Sequence, residues 1–409
     1  MASNNESSAS LEHVSSSDAI LDPSIKKAAT LTRGQKILKE VKELLIKHWF
    51  LVGLVIIIGL AAAWPNLGRR GGIIRSEYTV KYVCVCLIFL LTGLALKTRV
   101  LAKALLAWRV HLVVQVISLG ITPLIGWGLG SALKLTSFND NLISGLIIAT
   151  ATPTTISSNT VMTKKADGDE AAAVTNAVIG NILGVFVTPA LIYAFIEAQG
   201  GGTMNYGKIF GDLAITVIAP VVAGQILVSL LPNAVKWLQS KVNLSNVNSC
   251  LLLILVWSVF CDTFHDKVGN NVDAGSLVAI IFIDLGLFSL FTAIAFYTSR
   301  IPIFKFSRPQ TVAIVMCAAT KTVALGVPIL QIIYGGNPNI GLYSTPLLIY
   351  HAEQLVAGAL LIDVLKKWVH ANDPKNDIEG INVDETRPGT SGTASTEETA
   401  VEEESARTK

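Results

Sequence analysis

Residues 150–163 read TATPTTISSNTVMT, and this short stretch decides how the rest of the chain is understood. It lies in an apolar run long enough to enter a bilayer, yet nine of its fourteen residues are Thr, Ser or Asn. Pro153 removes a backbone donor and clashes with the preceding turn, so a helix is predicted to break there. Non-helical backbone at membrane depth is tolerated only where protein buries it or where it lines a wet cavity. Thr154, Thr155, Ser157, Ser158 and Asn159 are therefore read as cavity-facing groups that offer oxygens and amides to a solute or cation. The competing reading is a structural kink whose hydroxyls bond back to carbonyls four residues earlier.

A second interrupted stretch, 317–328 (CAATKTVALGVP), lies in the other half of the chain. Lys321 falls near the middle of a span, where a lysine costs about 2.5–3.5 kcal/mol on insertion scales, so it must meet a counter-charge, carbonyls or water. Thr320, Thr322, Gly326 and Pro328 make this the counterpart of the first break. If the two breaks cross, half-helix N-termini add positive potential there and Lys321 adds a full charge, a combination that favours an anion. The alternative is that the ammonium occupies a position where another transporter places a sodium ion.

Crossing the hydrocarbon core takes about 20 apolar residues. Such runs place spans at 49–65, 79–96, 109–133, 141–163, 171–196, 208–231, 248–264, 275–298, 309–334 and 341–364. Each interrupted stretch then occupies the fourth place in a set of five. Five is odd, so a second copy enters the membrane from the opposite side. Inverted repeats with paired broken helices are how many secondary transporters build a midplane site. The expected fold is an all-α membrane protein of ten transmembrane helices in two inverted five-helix repeats.

Composition agrees: 15% of residues are charged and the mean hydropathy is +0.56, against about 25% charged in soluble domains. Residues 1–48 form a polar N-terminal tail in which 34–47 (GQKILKEVKELLIK) reads as an amphipathic helix on the inner leaflet or an extension of span 1. Residues 49–365 form the transmembrane domain, and 366–409 are expected to be a disordered acidic tail. With the N-terminus inside, inside loops carry Lys97, Arg99, Lys103, Lys164, Lys165, Lys236, Lys241, Arg300, Lys305 and Arg308. Outside loops carry only Arg69, Arg70, Arg75, Lys134, Lys208 and Lys267. Both termini are therefore placed in the cytoplasm.

Other polar residues within spans fill out the expected cavity. Asp284 is read as a partner for Lys321 or a proton carrier, while Lys81 is read as a snorkelling lysine. Glu353 and Gln354 border the cavity; His351 lies on a different face from Glu353. Asn176 and Asn181 offer amides on span 5, where Gly180 and Gly184 serve close packing. Glu170 is either a cavity wall or a first-turn charge. Thr-Pro pairs at 122–123, 152–153, 188–189 and 345–346 are read as kinks. The five cysteines form neither a disulfide framework nor a zinc site, and Asp167–Glu170 lacks the spacing of a calcium loop. No HExxH or GxSxG motif and no aspartate pair of an intramembrane protease is present, so no enzyme, catalytic residue, metal centre or nucleic-acid partner is expected.

Three stretches together, GGIIRSEYTVKYVCVCLIFLLTGLALKT around Gly72, ATPTTISSNTVMTKKADGDEAAAVTNAVIGNILGVFVTP within 150–190 and TKTVALGVPIL at 320–330, resemble the sodium/bile-acid cotransporter superfamily. The resemblance is to its cotransporter-7-like branch, which includes fungal regulators of cytosolic calcium, and it covers residues 35–368. It implies a panel domain and a core domain, with helices 4 and 9 crossing in the core. Ser158 and Asn159 match the Ser/Asn of helix 4 that helps to hold sodium in the bile-acid branch, and Asn176 is placed at a polar position of helix 5. Lys321 stands where that branch carries a carboxylate, which counts against sodium coupling and leaves no expected cofactor. The resemblance further implies a restraint on calcium influx, through a calcium channel or other calcium-handling protein, while the buried lysine favours a carrier of a small, anionic solute. The implied location is the plasma membrane, or else a secretory-pathway membrane.

Overall fold

The computed structural model describes residues 49–95, 108–197, 206–265 and 273–371, with Lys42. Apart from Lys42, the amphipathic helix expected at 34–47 lies outside the described residues, as does the tail beyond Asp373. Among the described residues every regular element is helical. Eight helices are long and apolar enough to cross a membrane, and two shorter apolar helices accompany them.

The elements are α1 (Trp49–Ala63), α2 (Ser76–Ala95), α3 (Trp108–Leu133), α4a (Asp140–Ala151), α4b (Ser157–Lys165) and α5 (Glu170–Glu197). They continue with α6 (Gly211–Leu230), α7 (Leu244–His265), α8 (Ala274–Ser299), α9a (Arg308–Ala319), α9b (Val323–Ile333) and α10 (Ile340–His370). A further helix, Pro232–Lys241, occupies part of what sequence alone reads as a loop. α10 also runs past its expected end at 364, because Lys367 and His370 sit in a last turn where positive charge suits the helix dipole.

Two groups of helices are evident from the packing. α1 lies on α7, and α2 lies on α6 and α7. Around the other centre, α4a packs on α3 and α10, α5 on α3 and α9a, and α8 on α9a and α10. The run Arg308–Ile333 is the most enclosed span, with 94% of its apolar window buried against 28% for α8 and for α10. Lipid-facing apolar side chains account for the difference, since bilayer protein does not need to hide them. Gly145 lets α4a approach α10 closely, since a Cβ there would sit 2.7 Å from the Tyr343 carbonyl oxygen.

One face of the bundle gathers the loop before α5, the start of α9a and the end of α10. Asp169 N–H donates to Pro309 O (2.9 Å), and Arg308 Nη1 donates to Trp368 O (2.8 Å). Asp167 meets His370 (2.9 Å) and Lys366 (3.3 Å), and these hydrogen bonds hold its carboxyl below the usual carboxylate range. Within the acidic run 167–170 Asp167 is exposed and docks the end of α10, and Glu170 pairs with Lys164 at 3.2 Å rather than lining a cavity. At the opposite face, Arg70 N–H donates to Asp262 Oδ1 (2.8 Å).

Candidate functional site

Each broken helix is built from ordinary capping chemistry. Asn139 caps α4a by accepting from the Asn141 and Leu142 amides. The helix stops at Ala151 because Pro153 forces Thr152 into extended backbone. α9a starts with a capping box, Ser307 with Gln310, and ends where Thr320 turns extended. α9b restarts at Val323 with the Thr322 hydroxyl accepting from Ala324 N–H.

The two interruptions meet. Thr322 N–H donates to Pro153 O (2.8 Å), and the Thr154 and Thr320 hydroxyls lie 3.0 Å apart. Asn159 joins them: its Oδ1 lies 2.9 Å from the Thr320 hydroxyl and its amide donates to the Thr154 hydroxyl. Asn181 reaches from α5 to donate to Thr154 O (2.9 Å). Thr155 adds a bond to Asn159 Oδ1 (3.0 Å) and one with the Ser158 hydroxyl. Thr154, Asn159 and Thr320 are buried. The cavity that sequence reading expects is therefore closed here, its polar groups satisfying one another.

Lys321 is the centre of the arrangement and is fully buried. Its ammonium donates to Ser118 O (2.8 Å), Thr122 Oγ1 (2.7 Å) and Thr152 O (3.0 Å), which uses all three of its protons. Hydrogen bonds to charged groups contribute about 1.5–3 kcal/mol each, so three of them offset an insertion cost of roughly 3 kcal/mol. The Phe291 ring centroid lies 6.0 Å from the same nitrogen. The peptide of Lys321 is clamped by Gln354, whose Oε1 accepts from its N–H and whose Nε2 donates to its C=O, both at 2.7 Å. Tyr350 OH donates to Ala319 O (2.6 Å), and His351 stands 3.4 Å from Lys321 O.

Several expectations need correction. The ammonium faces the C-terminal carbonyl end of α4a, not two half-helix N-termini, so the positive potential at the crossing rests on Lys321 alone and not on helix dipoles. Asp284 is buried but does not pair with Lys321; neither of its oxygens accepts a hydrogen bond. Glu353 is likewise without a hydrogen-bond partner. Asn176 sits one turn away from the crossing, bonded to His111 (3.0 Å) and Ala172 O (2.9 Å). Ser157 is exposed and lies 3.5 Å from Ser245 on α7. Lys81 does not snorkel: it pairs with Asp212 of α6 at 3.1 Å, both partly buried. Distant in sequence, these partners are invisible to a reading made span by span.

Sequence reading also missed Ser118 as an acceptor for Lys321. Residues Ile117–Ile121 form a π-helical turn in which Thr122 N–H reaches Ile117 O. In that geometry Ser118 O awaits the N–H of the residue five ahead. That residue is Pro123, which has none. The orphaned carbonyl is satisfied by Lys321 and by the Thr122 hydroxyl (2.8 Å). The Thr-Pro pair was the available signal, and it points to a binding oxygen as well as to a kink.

Comparison with known proteins places this chain among transporters. The profile of the SBF-like CPA transporter family matches residues 48–367. The chain is 31% identical over 395 residues to the solute carrier RCH1 of Candida albicans, covering 86% of this chain and 96% of the relative. It is 36% identical over 328 residues to sodium/bile acid cotransporter 7 of Xenopus tropicalis, covering 80% and 94%. The mouse protein of that name is 36% identical over 324 residues, covering 79% and 94%.

Proposed function

The chain belongs to the SBF-like CPA transporter family, and from that premise we propose that it is a secondary carrier of a small anionic solute working by alternating access. One observation carries the proposal: a fully buried ammonium at the meeting of two broken helices, bonded to three uncharged oxygens. Among the described residues no carboxylate forms an ion pair with Lys321. The crossing therefore carries an uncompensated positive charge. An anion arriving about 6 Å away gains roughly 3 kcal/mol at an effective dielectric of about 20. Within the same proposal the ammonium acts as a tethered cation in an oxygen cage, so neither a sodium ion nor another cofactor is required.

The packing supports ten spans in two inverted repeats, with α1 and the α4a–α4b pair supplying the crossings beyond the eight long helices. Exchanging each span with the one five places later preserves the strongest helix pairings. The α1–α7 pair maps onto α6–α2, α3–α4a onto α8–α9a, α3–α5 onto α8–α10, and α4a–α10 onto α9a–α5. α1, α2, α6 and α7 then form the panel, and α3–α5 with α8–α10 the core. Sliding of core against panel would open the crossing to one side at a time. Both termini are assigned to the cytoplasm, because Lys164, Lys165, Arg308, Lys366 and Lys367 belong to the face that gathers the α4b–α5 loop and the end of α10. The plasma membrane is the proposed site, with a partner among calcium-handling proteins if restraint of calcium entry follows from transport.

The test is reconstitution of the full-length protein in liposomes, with transient currents recorded for a panel of small carboxylates, phosphates and sulfates. At least one anion should give a current in wild type that drops more than about tenfold in Lys321→Ala, the loss expected for removing a contribution above 1.4 kcal/mol. A current indifferent to Lys321→Ala, or none for any anion, refutes the carrier reading. The second reading, a non-transporting scaffold that restrains a calcium channel, predicts that Lys321→Ala still corrects calcium uptake in cells lacking the protein.

A further inference from the structure

Asp284 lies near the middle of α8 in surroundings that offer its carboxylate nothing. The side chain is fully buried, and neither oxygen has a hydrogen-bond partner. Glu353, on α10, also has two partnerless oxygens. The two helices pack together, with the Phe288 and Tyr350 rings edge to face at 6.2 Å. Glu353 as a residue is only partly buried, but both of its carboxyl oxygens are buried like those of Asp284.

The groups around the pair cannot neutralise it. Tyr350 directs its proton to Ala319 O. Lys321 directs its three to α3 and α4a. His351 sits against Gln354 and the Lys321 carbonyl. α3 and α4a contribute Ile125, Leu129 and Leu146, which are apolar. An isolated carboxylate in such a medium is so costly that the group takes up a proton instead.

We propose that Asp284 is a proton-binding site and that Glu353, the partnerless carboxyl on the helix packed against α8, is the group with which it exchanges that proton. Glu353 adjoins Gln354, the clamp on the Lys321 peptide, so the pair's protonation lies one residue from the crossing. That this proton couples to cargo movement rests on the carrier reading above. Its residence on Asp284 does not.

Infrared spectroscopy of the full-length protein in lipid tests this directly, with the proton itself as ligand and deuterium as the label. Wild type at neutral pH should show the carbonyl stretch of a protonated carboxyl, shifted in heavy water, and Asp284→Asn should abolish it. Glu353→Gln should keep the band and slow its deuterium shift at least severalfold. Asparagine mimics the protonated acid, so Asp284→Asn should also melt with wild type, which keeps the spectrum interpretable. A spectrum unchanged by Asp284→Asn, or a band lost only in Glu353→Gln, overturns the assignment. Because no cargo enters the measurement, its failure and a failure of transport are separate results.

Discussion

Replacing Gln354 by Met tests whether the break in α9 is held open by a single side chain. The amide of Gln354 supplies both hydrogen bonds that the Lys321 peptide loses by leaving the helical ladder, each 2.7 Å long. Met keeps the length and volume but offers neither a donor nor a comparable acceptor. Each buried backbone group left unsatisfied costs about 1–3 kcal/mol, so the change should cost about 2–6 kcal/mol. His351, 3.4 Å from the Lys321 carbonyl, softens one half of that loss. Taking about 2 cal/mol/K of unfolding entropy per residue over residues 48–367, melting should fall by roughly 3–9 °C. Intrinsic fluorescence of the purified full-length protein in one detergent measures it. Gln354→Glu, which keeps the acceptor for the amide but turns a carboxylate toward the carbonyl, should fall between Met and wild type or below both. If Gln354→Met melts within a degree of wild type, the peptide finds other partners and the clamp does not hold the break.

Three further outcomes are expected. Gly126→Ala places a methyl against the Thr150 hydroxyl and should destabilise by about 1–3 kcal/mol, part of which Thr150→Ala restores in the double variant's melting curve. Asp212→Asn leaves Lys81 partly buried without its 3.1 Å partner; solvent access reduces the buried-pair figure to about 1–3 kcal/mol, and the swapped pair Lys81→Asp with Asp212→Lys should recover most of it. Asp167 has its carboxyl lowered first by the hydrogen bond from His370 and then by that from Lys366. A depressed acid stabilises the fold above its ordinary value of 3.8 and loses that contribution as pH falls through the lower folded value. Melting curves taken through that window should therefore separate wild type from Asp167→Asn above it and converge below it.

Much of the architecture was legible in the chain because membranes impose a severe rule. A span needs a long apolar run with its backbone satisfied internally, so run lengths alone place the helices within a few residues, and Pro153 and the polar cluster around it mark a break. Lys321 is legible for the same reason: a lysine amid apolar residues has no ordinary use. The partners of that lysine were not legible. Ser118, Thr122 and Thr152 are assembled from two other helices, and carbonyl acceptors carry no side-chain signature. Gln354 looked like a cavity wall and is a backbone clamp; Asp284 looked like a counter-ion and stands apart from the ammonium.

Sequence alone determined that this chain lives in lipid, where its helices run and where two of them fail, because those properties depend on local composition and on the backbone's need for donors. Tertiary structure decided which oxygens receive the Lys321 ammonium, which carboxyls are left without partners and whether the crossing is open or closed. Those outcomes depend on distances between residues remote along the chain, set by packing that no single segment contains.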